Sequence, residues 1–462
     1  MKMVRKLKEI WADSAKRFVI LAFVFGTMFS FGVIPWQTPD EYSHLNMIGQ
    51  EIKNEKLAPT FLSEMNLEQD AIRRNSEVSV NHALLKQAMF RPAQYSRNDV
   101  MAHGITIGCI KHLPAIIGIQ VGVLLHLPVY WVMQLGELFA LSFYVFVGYW
   151  TIQLAPAKKR VFEVVMLVPM GLHQAASLNY DAVLLPMCYL LVAYILHLQC
   201  VDAIKWKHCI ATVVMLAVIM YIKMPYVLLA LLLLALPFEK FELKLRNRKL
   251  TISHPVRFRV ILIILGIIAC GLFFYVFKDS YYVKVLSVCV TNYKQTLHLF
   301  HATWNNYRDH VITSMIGTFG WLDTALPVGF PYVVLTVLVF ITMAFDKKPE
   351  TKISTGTRIC LLGTGILMII FITMSMINHT ILITLYGVED FSIKVDYQKA
   401  IYQIAAIGGL QGRYYLPMLL PVLLGVPESI QISEKRYDIL YTIFIIWVLF
   451  ISVNVLWNRY IV

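Results

Sequence analysis

Apolar runs of about 20 residues recur along the chain between short polar segments, and a helix of that length crosses the hydrocarbon core of a bilayer. No alternation of apolar and polar residues typical of a membrane barrel strand repeats along the sequence. The pattern therefore predicts an all-α integral membrane protein, with about 11 transmembrane helices in a single domain over residues 1–462.

The predicted first helix covers residues 18–35, follows a basic flank and lacks a small-residue cleavage site, which favours a retained signal anchor. A long segment, 36–130, separates it from the remaining transmembrane helices within 131–457. Inside that segment, the apolar stretch 113–127 is too short for a comfortable span and is typical of a re-entrant or interfacial helix. The remaining helices are predicted at 132–154, 161–176, 182–200, 209–222, 226–238, 260–277, 328–345, 359–380, 413–427 and 438–457.

The distribution of charge along the chain predicts in which direction each helix crosses the membrane. Only 15% of the residues are charged, against about 25% in soluble proteins, and the net charge is +13. A basic protein can bind nucleic acid, but here most Lys and Arg residues lie between apolar runs, as in cytoplasmic loops of membrane proteins. We therefore expect a cytoplasmic N-terminus and no nucleic-acid partner. The main basic blocks lie at 2–17, 158–160, 240–259 and 347–358.

In this orientation, segment 36–130 is the first extracytoplasmic loop. It carries eight basic and nine acidic residues and is therefore close to neutral. A connection of this length is unusual and is usually functional. We expect the chemistry of the protein on this outer side.

The segment that follows the first helix combines helix-start residues with acids. Thr38 can cap a helix that has Pro39 at its first position, and Glu41 then completes a capping box. In such a helix Asp40 and His44 are four positions apart and share a face.

Two interpretations of these acids stay open. Asp40 and Glu41 can simply complement the helix dipole. Alternatively, with His44 and with Glu51 about two turns further along, they form a catalytic group at the bilayer surface. Neighbouring carboxylates can raise one another's pKa, which tunes one of them as a base, or can hold a divalent cation such as Mg²⁺ or Mn²⁺.

Four more polar groups fall at the predicted outer ends of helices. Asp181 precedes a helix and can serve as its dipole partner, and Lys223, at a helical bend, can extend to the interface. Asp323 follows a Trp typical of an interfacial belt. Arg413 opens a helix beside glycines, where a guanidinium suits a phosphate. Together these groups suit chemistry on a phosphate-bearing substrate.

Five motifs occur in the chain in this order: Pro39-Asp40-Glu41 with His44, Ser177-x-Asn-Tyr-Asp181, Lys223-x-Pro-Tyr226, Gly320-Trp-Leu-Asp323 with Pro327, and Gln411-Gly-Arg-Tyr-Tyr-Leu-Pro417. In these motifs the chain resembles the bacterial GT-C-fold membrane glycosyltransferases, and above all a widespread bacterial membrane family catalogued as a domain of unknown function. The resemblance extends over residues 18–425.

The resemblance implies a GT-C-like fold in the bacterial cell membrane. It implies an inverting transfer of a sugar from a polyprenyl-phosphate-linked donor to a cell-envelope glycan or lipid acceptor, outside the cytoplasm. Asp40 would be the catalytic base with Glu41 as its neighbour, and Arg413 would contact the lipid phosphate. The remaining expected substrate-binding residues are His44, Asp181, Lys223, Asp323, Gln411 and Tyr414.

Relatives often carry an Arg where this chain has Glu137, so we expect no phosphate contact from that helix. The apolar stretch at Leu113-Pro114 would correspond to the juxtamembrane helix of the family. Metal dependence varies within the fold, so a divalent cation stays an open alternative.

Two other classes of function stay open. A lipid or oligosaccharide transporter or flippase would carry ionisable residues at mid-membrane and an inverted repeat. The sequence has no such repeat, and its intramembrane acids Glu137 and Glu163 are expected near helix ends. A non-catalytic component of a polysaccharide-assembly complex would need neither the acids nor Arg413.

Overall fold

The computed structural model describes residues 11–65, 86–87, 89–245, 248–345, 353–388 and 393–460. The predicted basic residues at 2–8, those around Lys347 and Lys348, and the middle of segment 36–130 lie outside the described residues. The described chain is mostly helical, as predicted, and its strands are all short.

Helices follow one another along the chain, with 3-10 turns and short strands between them. The α-helices are Ser14–Gly32, Glu41–Glu51, Leu57–Met65, Arg97–Val100, Leu113–Leu124, Val129–Leu154, Lys159–Met166, Pro169–Ala175, Asp181–Cys200, Trp206–Ile222, Pro255–Val276, Tyr281–Thr291, Tyr293–Gly317, Phe330–Met343, Thr355–Ile381, Tyr397–Ala400, Leu416–Gly425 and Glu434–Tyr460. The 3-10 helices are Ile107–Ile110, Met224–Ala235, Phe238–Lys240 and Gly412–Tyr415, and Leu382–Tyr386 is a π-helical turn.

The strands form three pairs that close connections between helices. Two pairs are antiparallel: Glu242–Leu245 with Arg248–Thr251, and Thr318–Phe319 with Thr324–Ala325. The third pair, Ala344–Phe345 with Ile430–Gln431, is parallel and joins the segments that follow two different helices.

Among the described residues, five helices are long and apolar enough to cross a membrane. They are Ser14–Gly32, Val129–Leu154, Asp181–Cys200, Thr355–Tyr386 and Tyr437–Tyr460. Other apolar helices are shorter, with 10–17 residues. The protein is therefore a membrane protein with several spanning helices, and the total of about 11 spans stays a prediction.

The predicted continuous helix 161–176 is wrong. The chain forms two short helices there, Lys159–Met166 and Pro169–Ala175. Pro169 has no N–H to continue the first helix, and it disfavours the helical conformation of Val168 before it.

The predicted outside loop between 277 and 328 is mostly helical. The helices Tyr281–Thr291 and Tyr293–Gly317 fill most of it. The longer helix has no Pro or Gly before its last residue, so its backbone is free to form a helix. Because its residues are too polar for a span, hydropathy alone predicts a loop.

The first helix packs closely against Val129–Leu154. A side chain at Gly148 would collide with Phe18, and one at Gly26 would collide with Leu141. Phe18 and Leu141 are both fully buried in the core. Small residues at such contacts let helix backbones approach closely inside a membrane.

Ion pairs gather several helix connections at one end of the bundle, which we call the basic end. Lys158 lies 3.5 Å from Glu428, and Arg358 pairs with the same carboxylate. Arg160 lies 2.7 Å from Asp438. These residues belong to segments that the charge pattern assigns to one side of the membrane. The contacts therefore agree with the prediction that these segments lie on the same side of the membrane.

Candidate active site

The chain makes a strained turn after the first helix, at the end of the bundle opposite the basic end. Trp36 and Asp40 both adopt left-handed backbone conformations, with φ of 73° and 65°. Such conformations cost a non-glycine residue about 1–3 kcal/mol and are concentrated at functional sites. The carboxylate of Glu41 accepts a hydrogen bond from the N–H of Trp36 at 2.7 Å, which closes the turn.

The predicted capping box is wrong. The helix runs from Glu41 to Glu51, with Asp40 at its N-cap, so Pro39 lies before its first turn. Thr38 contributes its carbonyl oxygen, which accepts from the Glu41 N–H at 3.2 Å. The Glu41 carboxylate accepts from the Trp36 N–H, and Thr38 does not serve as the N-cap. The Asp40 carboxylate makes no capping bond and is available for other contacts.

Asp40 forms an ion pair with Arg413, although 373 positions separate them in the chain. Nη2 of Arg413 donates to Oδ2 of Asp40, and Nη1 donates to Oε1 of Gln174 at 2.7 Å. The side chain of Arg413 is 4% exposed, whereas that of Asp40 is 45% exposed. Asp40 is therefore the accessible member of the pair, and Arg413 is the buried positive charge behind it.

The backbone before Arg413 is held by a close contact. The N–H of Gly412 donates to Oγ of Ser314 at 2.9 Å. A Cβ at Gly412 would collide with the backbone of the helix Tyr293–Gly317. This approach requires glycine, and it fixes the position from which the Arg413 side chain extends.

The segment before the helix Asp181–Cys200 supports the guanidinium from another side. The amide nitrogen of Asn179 donates to Oε1 of Gln174 at 2.9 Å, and its oxygen accepts from the Asp181 N–H at 3.0 Å. Oε1 of Gln174 thus accepts hydrogen bonds from both Asn179 and Arg413, and this shared acceptor orients the guanidinium. Asp181 is buried and interacts electrostatically with Arg413 and Lys223.

Lys223 adds a second cation to this cluster. It lies between Trp206–Ile222 and the 3-10 helix that follows, at the predicted bend. Its Nζ lies 3.8 Å from the ring centroid of Tyr414, and the Tyr226 hydroxyl donates to the Tyr414 carbonyl oxygen at 2.8 Å. Burial lowers the pKa of Lys223 to about 8, against the opposing effect of Asp181.

Glu41, the second expected catalytic acid, faces the interior of the bundle. Its buried side chain interacts with that of Glu137, whose carboxylate accepts from the Ser30 hydroxyl at 2.6 Å. Burial raises the pKa of Glu41 above its ordinary value. Glu137 lies about two turns inside Val129–Leu154, so its expected place near a helix end is wrong.

Asp40 and Glu41 do not form the cation site that the sequence left as an open alternative. The Asp40 carboxylate is bonded to Arg413 and that of Glu41 to Trp36, so the two do not converge on one point. Among the residues that the structure describes, no three or more His, Cys, Asp or Glu side chains are grouped to hold a metal ion. The geometry therefore does not support Mg²⁺ or Mn²⁺ shared by Asp40 and Glu41.

His44 belongs to a row of buried titratable side chains beside the ion pair. Its Nδ1 lies 3.0 Å from Nε2 of His112, and Nδ1 of His112 lies 2.9 Å from Oε2 of Glu51. The ring of His44 also packs edge-on against Tyr180, with 4.7 Å between centroids. The expected association of His44 with Glu51 is thus made through His112.

Two expected substrate-binding residues make contacts with residues other than Asp40 and Arg413. Asp323 accepts from the hydroxyl of Thr324 at 3.0 Å and from Arg459 at 3.4 Å. Its neighbour Trp321 donates to the Trp36 carbonyl oxygen at 2.8 Å and so supports the strained turn. Gln411 bonds to Tyr414 through its backbone, and its buried Oε1 has no hydrogen-bond partner in the described part of the chain.

Gln174 and His112 are site residues that the sequence prediction misses. Both are polar residues at or in helices that are otherwise mostly apolar, Pro169–Ala175 and Leu113–Leu124. A polar side chain in such surroundings needs a partner, and this need was the available signal. The partner itself is distant in sequence and cannot be identified from the pattern.

An apolar cavity of about 350 Å³ begins next to Lys223. Met224 and Pro225, the residues that follow Lys223, line it together with Phe274, Tyr281 and Asn378. A charged group is thus followed by an apolar cavity, an arrangement that suits an amphipathic ligand.

The fold and the site define a polytopic α-helical membrane protein with a polar cluster at one end of its helix bundle. More particularly, the chain belongs to the family described as "Predicted membrane protein (DUF2142)", whose model matches residues 23–422. The matched range includes both Asp40 and Arg413. No curated protein and no solved structure matches the chain.

Proposed function

We propose that this protein is an inverting, GT-C-type glycosyltransferase of the bacterial cell membrane. It moves a sugar from a polyprenyl-phosphate-linked donor to a glycan or lipid acceptor of the cell envelope. The observation that carries this proposal is the ion pair between the accessible Asp40 and the buried Arg413. It combines a proton acceptor with a cation for a phosphate in one site.

The proposed chemistry is a single displacement. The acceptor hydroxyl loses its proton to Asp40, its oxygen bonds to the anomeric carbon, and the bond from that carbon to the phosphate oxygen breaks. Arg413 and Lys223 stabilise the charge on the departing lipid phosphate. When the phosphate binds, it competes with Asp40 for the guanidinium and so releases the carboxylate to act as base.

The apolar cavity beside Lys223 supports a lipid-linked donor. A phosphate between Arg413 and Lys223 would bring its hydrocarbon chain towards Met224 and Pro225, which line the cavity. An apolar chain gains about 0.8 kcal/mol for each methylene that it buries. A water-soluble nucleotide sugar would have no use for this surface.

The location on the outer side follows from the charge pattern. Arg160 and Arg358, in predicted cytoplasmic segments, lie at the basic end, whereas Asp40 lies at the opposite end of the bundle. Because basic residues resist translocation, we assign the basic end and the N-terminus to the cytoplasm. The site then faces the outer leaflet.

The test is sugar transfer by purified protein in liposomes, with labelled polyprenyl-phosphate sugars and an envelope glycan acceptor. Asp40→Asn keeps a residue that tolerates the left-handed conformation and should lower kcat about 100-fold or more. Arg413→Ala should lower it by about as much, because an electrostatic donor is lost. Asp99→Asn is the matched control, since Asp99 pairs with Lys56 on the surface of the same loop. Full activity of Asp40→Asn would contradict the assignment.

A transporter of lipid or oligosaccharide is the second candidate, and one observation favours it. Glu41 and Glu137 are buried together inside the bundle, and intramembrane acids often belong to transport pathways. In that case Glu137→Gln would stop the movement of labelled lipid across sealed liposomes. A transferase would form new glycosidic bonds, which a transporter would not.

A further inference from the structure

The buried row of Glu51, His112 and His44 has no role in the displacement described above. Glu51 and His44 belong to one helix, and His112 reaches them from the residue before Leu113–Leu124. All three side chains are buried. Ordered hydrogen bonds between titratable groups away from water are arranged as in a proton pathway.

The hydrogen bonds determine where the protons lie. A carboxylate only accepts, so Nδ1 of His112 must donate to Glu51. Nε2 of a neutral His112 is then an acceptor, and His44 must donate to it from Nδ1. This leaves Nε2 of His44 with a free lone pair.

The two imidazole rings have different charged neighbours. Burial lowers the pKa of His44 well below its ordinary value, and the positive charges of His112, Arg413, Lys223 and Lys111 lower it further. His112 has the Glu51 carboxylate in direct contact. A positive charge that moves from His44 to His112 therefore gains direct contact with a carboxylate.

The position of His44 connects this row with the site. Its N–H donates to the Asp40 carbonyl oxygen at 2.9 Å, one turn along the helix. Its ring packs on Tyr180, which lies between Asn179 and Asp181. The backbone at Glu51 is also fixed, since its carbonyl oxygen accepts from the Thr106 N–H at 3.0 Å.

We propose that Glu51, His112 and His44 form a proton relay that takes the proton of the acceptor hydroxyl away from the reacting centre. Nε2 of His44 takes from Asp40 the proton that the hydroxyl gave up, Nδ1 of His44 passes its own proton to Nε2 of His112, and an imidazolium paired with Glu51 results. The relay rests on the proposed transferase function, since the reaction supplies the proton. His112 and Glu51 are positioning residues that act through His44.

The first test does not depend on activity. Solid-state NMR of the protein in lipid, labelled with ¹⁵N-histidine, reports which ring nitrogen carries the proton, and His44→Gln and His112→Gln spectra assign the two signals. The relay requires a neutral His44 with its proton on Nδ1. It also requires that acidification first produces an imidazolium at His112. A proton on Nε2 of His44 in the neutral state, or a first charge on His44, would overturn the proposal.

The second test separates a relay from a structural contact. In His112→Gln the amide oxygen can accept from His44 and the amide nitrogen can donate to Glu51, but the side chain cannot be protonated. We expect kcat to fall about tenfold or more, with the KM for the donor and the melting temperature unchanged. His103→Gln, at an exposed histidine of the same loop, is the matched control.

The outcomes distinguish the relay from the function on which it rests. A wild-type protein that transfers no sugar contradicts the proposed function, and the NMR spectra then still decide whether the row is ordered as a relay. An active wild type whose kcat is unchanged by His112→Gln contradicts the relay and leaves the transferase intact.

Discussion

The charge of Lys223 should make donor use depend on pH. Because burial lowers the pKa of Lys223 to about 8, the ammonium group is about 90% protonated at pH 7 and about 10% protonated at pH 9. Only the protonated form attracts a phosphate. We therefore expect kcat/KM for the lipid-linked donor to fall about tenfold between pH 7 and pH 9, which corresponds to about 1.4 kcal/mol.

A single substitution tests the origin of this fall. Lys223→Arg keeps a positive charge at both pH values, because guanidinium does not deprotonate in this range. The fall should disappear in initial-rate measurements of donor use at a series of pH values. Lys284→Arg, at an exposed lysine, should keep the wild-type profile. An equal fall in wild type and Lys223→Arg would refute the assignment of the pH dependence to Lys223.

Three further predictions concern the bundle. Arg17→Met leaves the buried carboxylate of Glu163 without its partner at 2.6 Å and should lower the free energy of unfolding by about 3–5 kcal/mol. The double variant Arg17→Met with Glu163→Leu removes the unpaired charge and should recover most of that free energy. Equal losses of stability in the single and the double variant, measured by thermal unfolding, would contradict this reasoning. Glu137→Gln should leave sugar transfer within about twofold of wild type, and a complete loss would contradict a displacement that takes place without Glu137. Reporter fusions after Arg160 and Lys249 should both give cytoplasmic signals, and an outside signal at either would contradict the orientation.

Hydropathy predicts well those helices whose ends are marked by polar residues or by proline. The helix predicted at 182–200 spans Asp181–Cys200, and the predicted bend at Lys223 is present. The helix Tyr293–Gly317 could not be predicted in this way, because it is polar along its length and its stability comes from packing.

The sequence predicts which segments contribute charged residues to the candidate site, but it does not predict which side chains contact one another. Asp40 and Arg413 are recognisable as charged residues at helix ends, and the structure joins them. The direction of Glu41 could not be predicted, because it depends on the left-handed turn at Trp36 and Asp40. Gln174 was missed for a related reason: its importance lies in the distant guanidinium that it orients.

The most direct test of the account is the fate of a labelled sugar in sealed liposomes that contain the purified protein, a polyprenyl-phosphate sugar and an envelope glycan. We expect wild type to form a new glycosidic bond between the labelled sugar and the glycan. Asp40→Asn should form it about 100-fold more slowly or worse, and Asp99→Asn at the wild-type rate. Label that crosses the membrane but stays on the lipid, with no glycosidic product, would contradict the central claim.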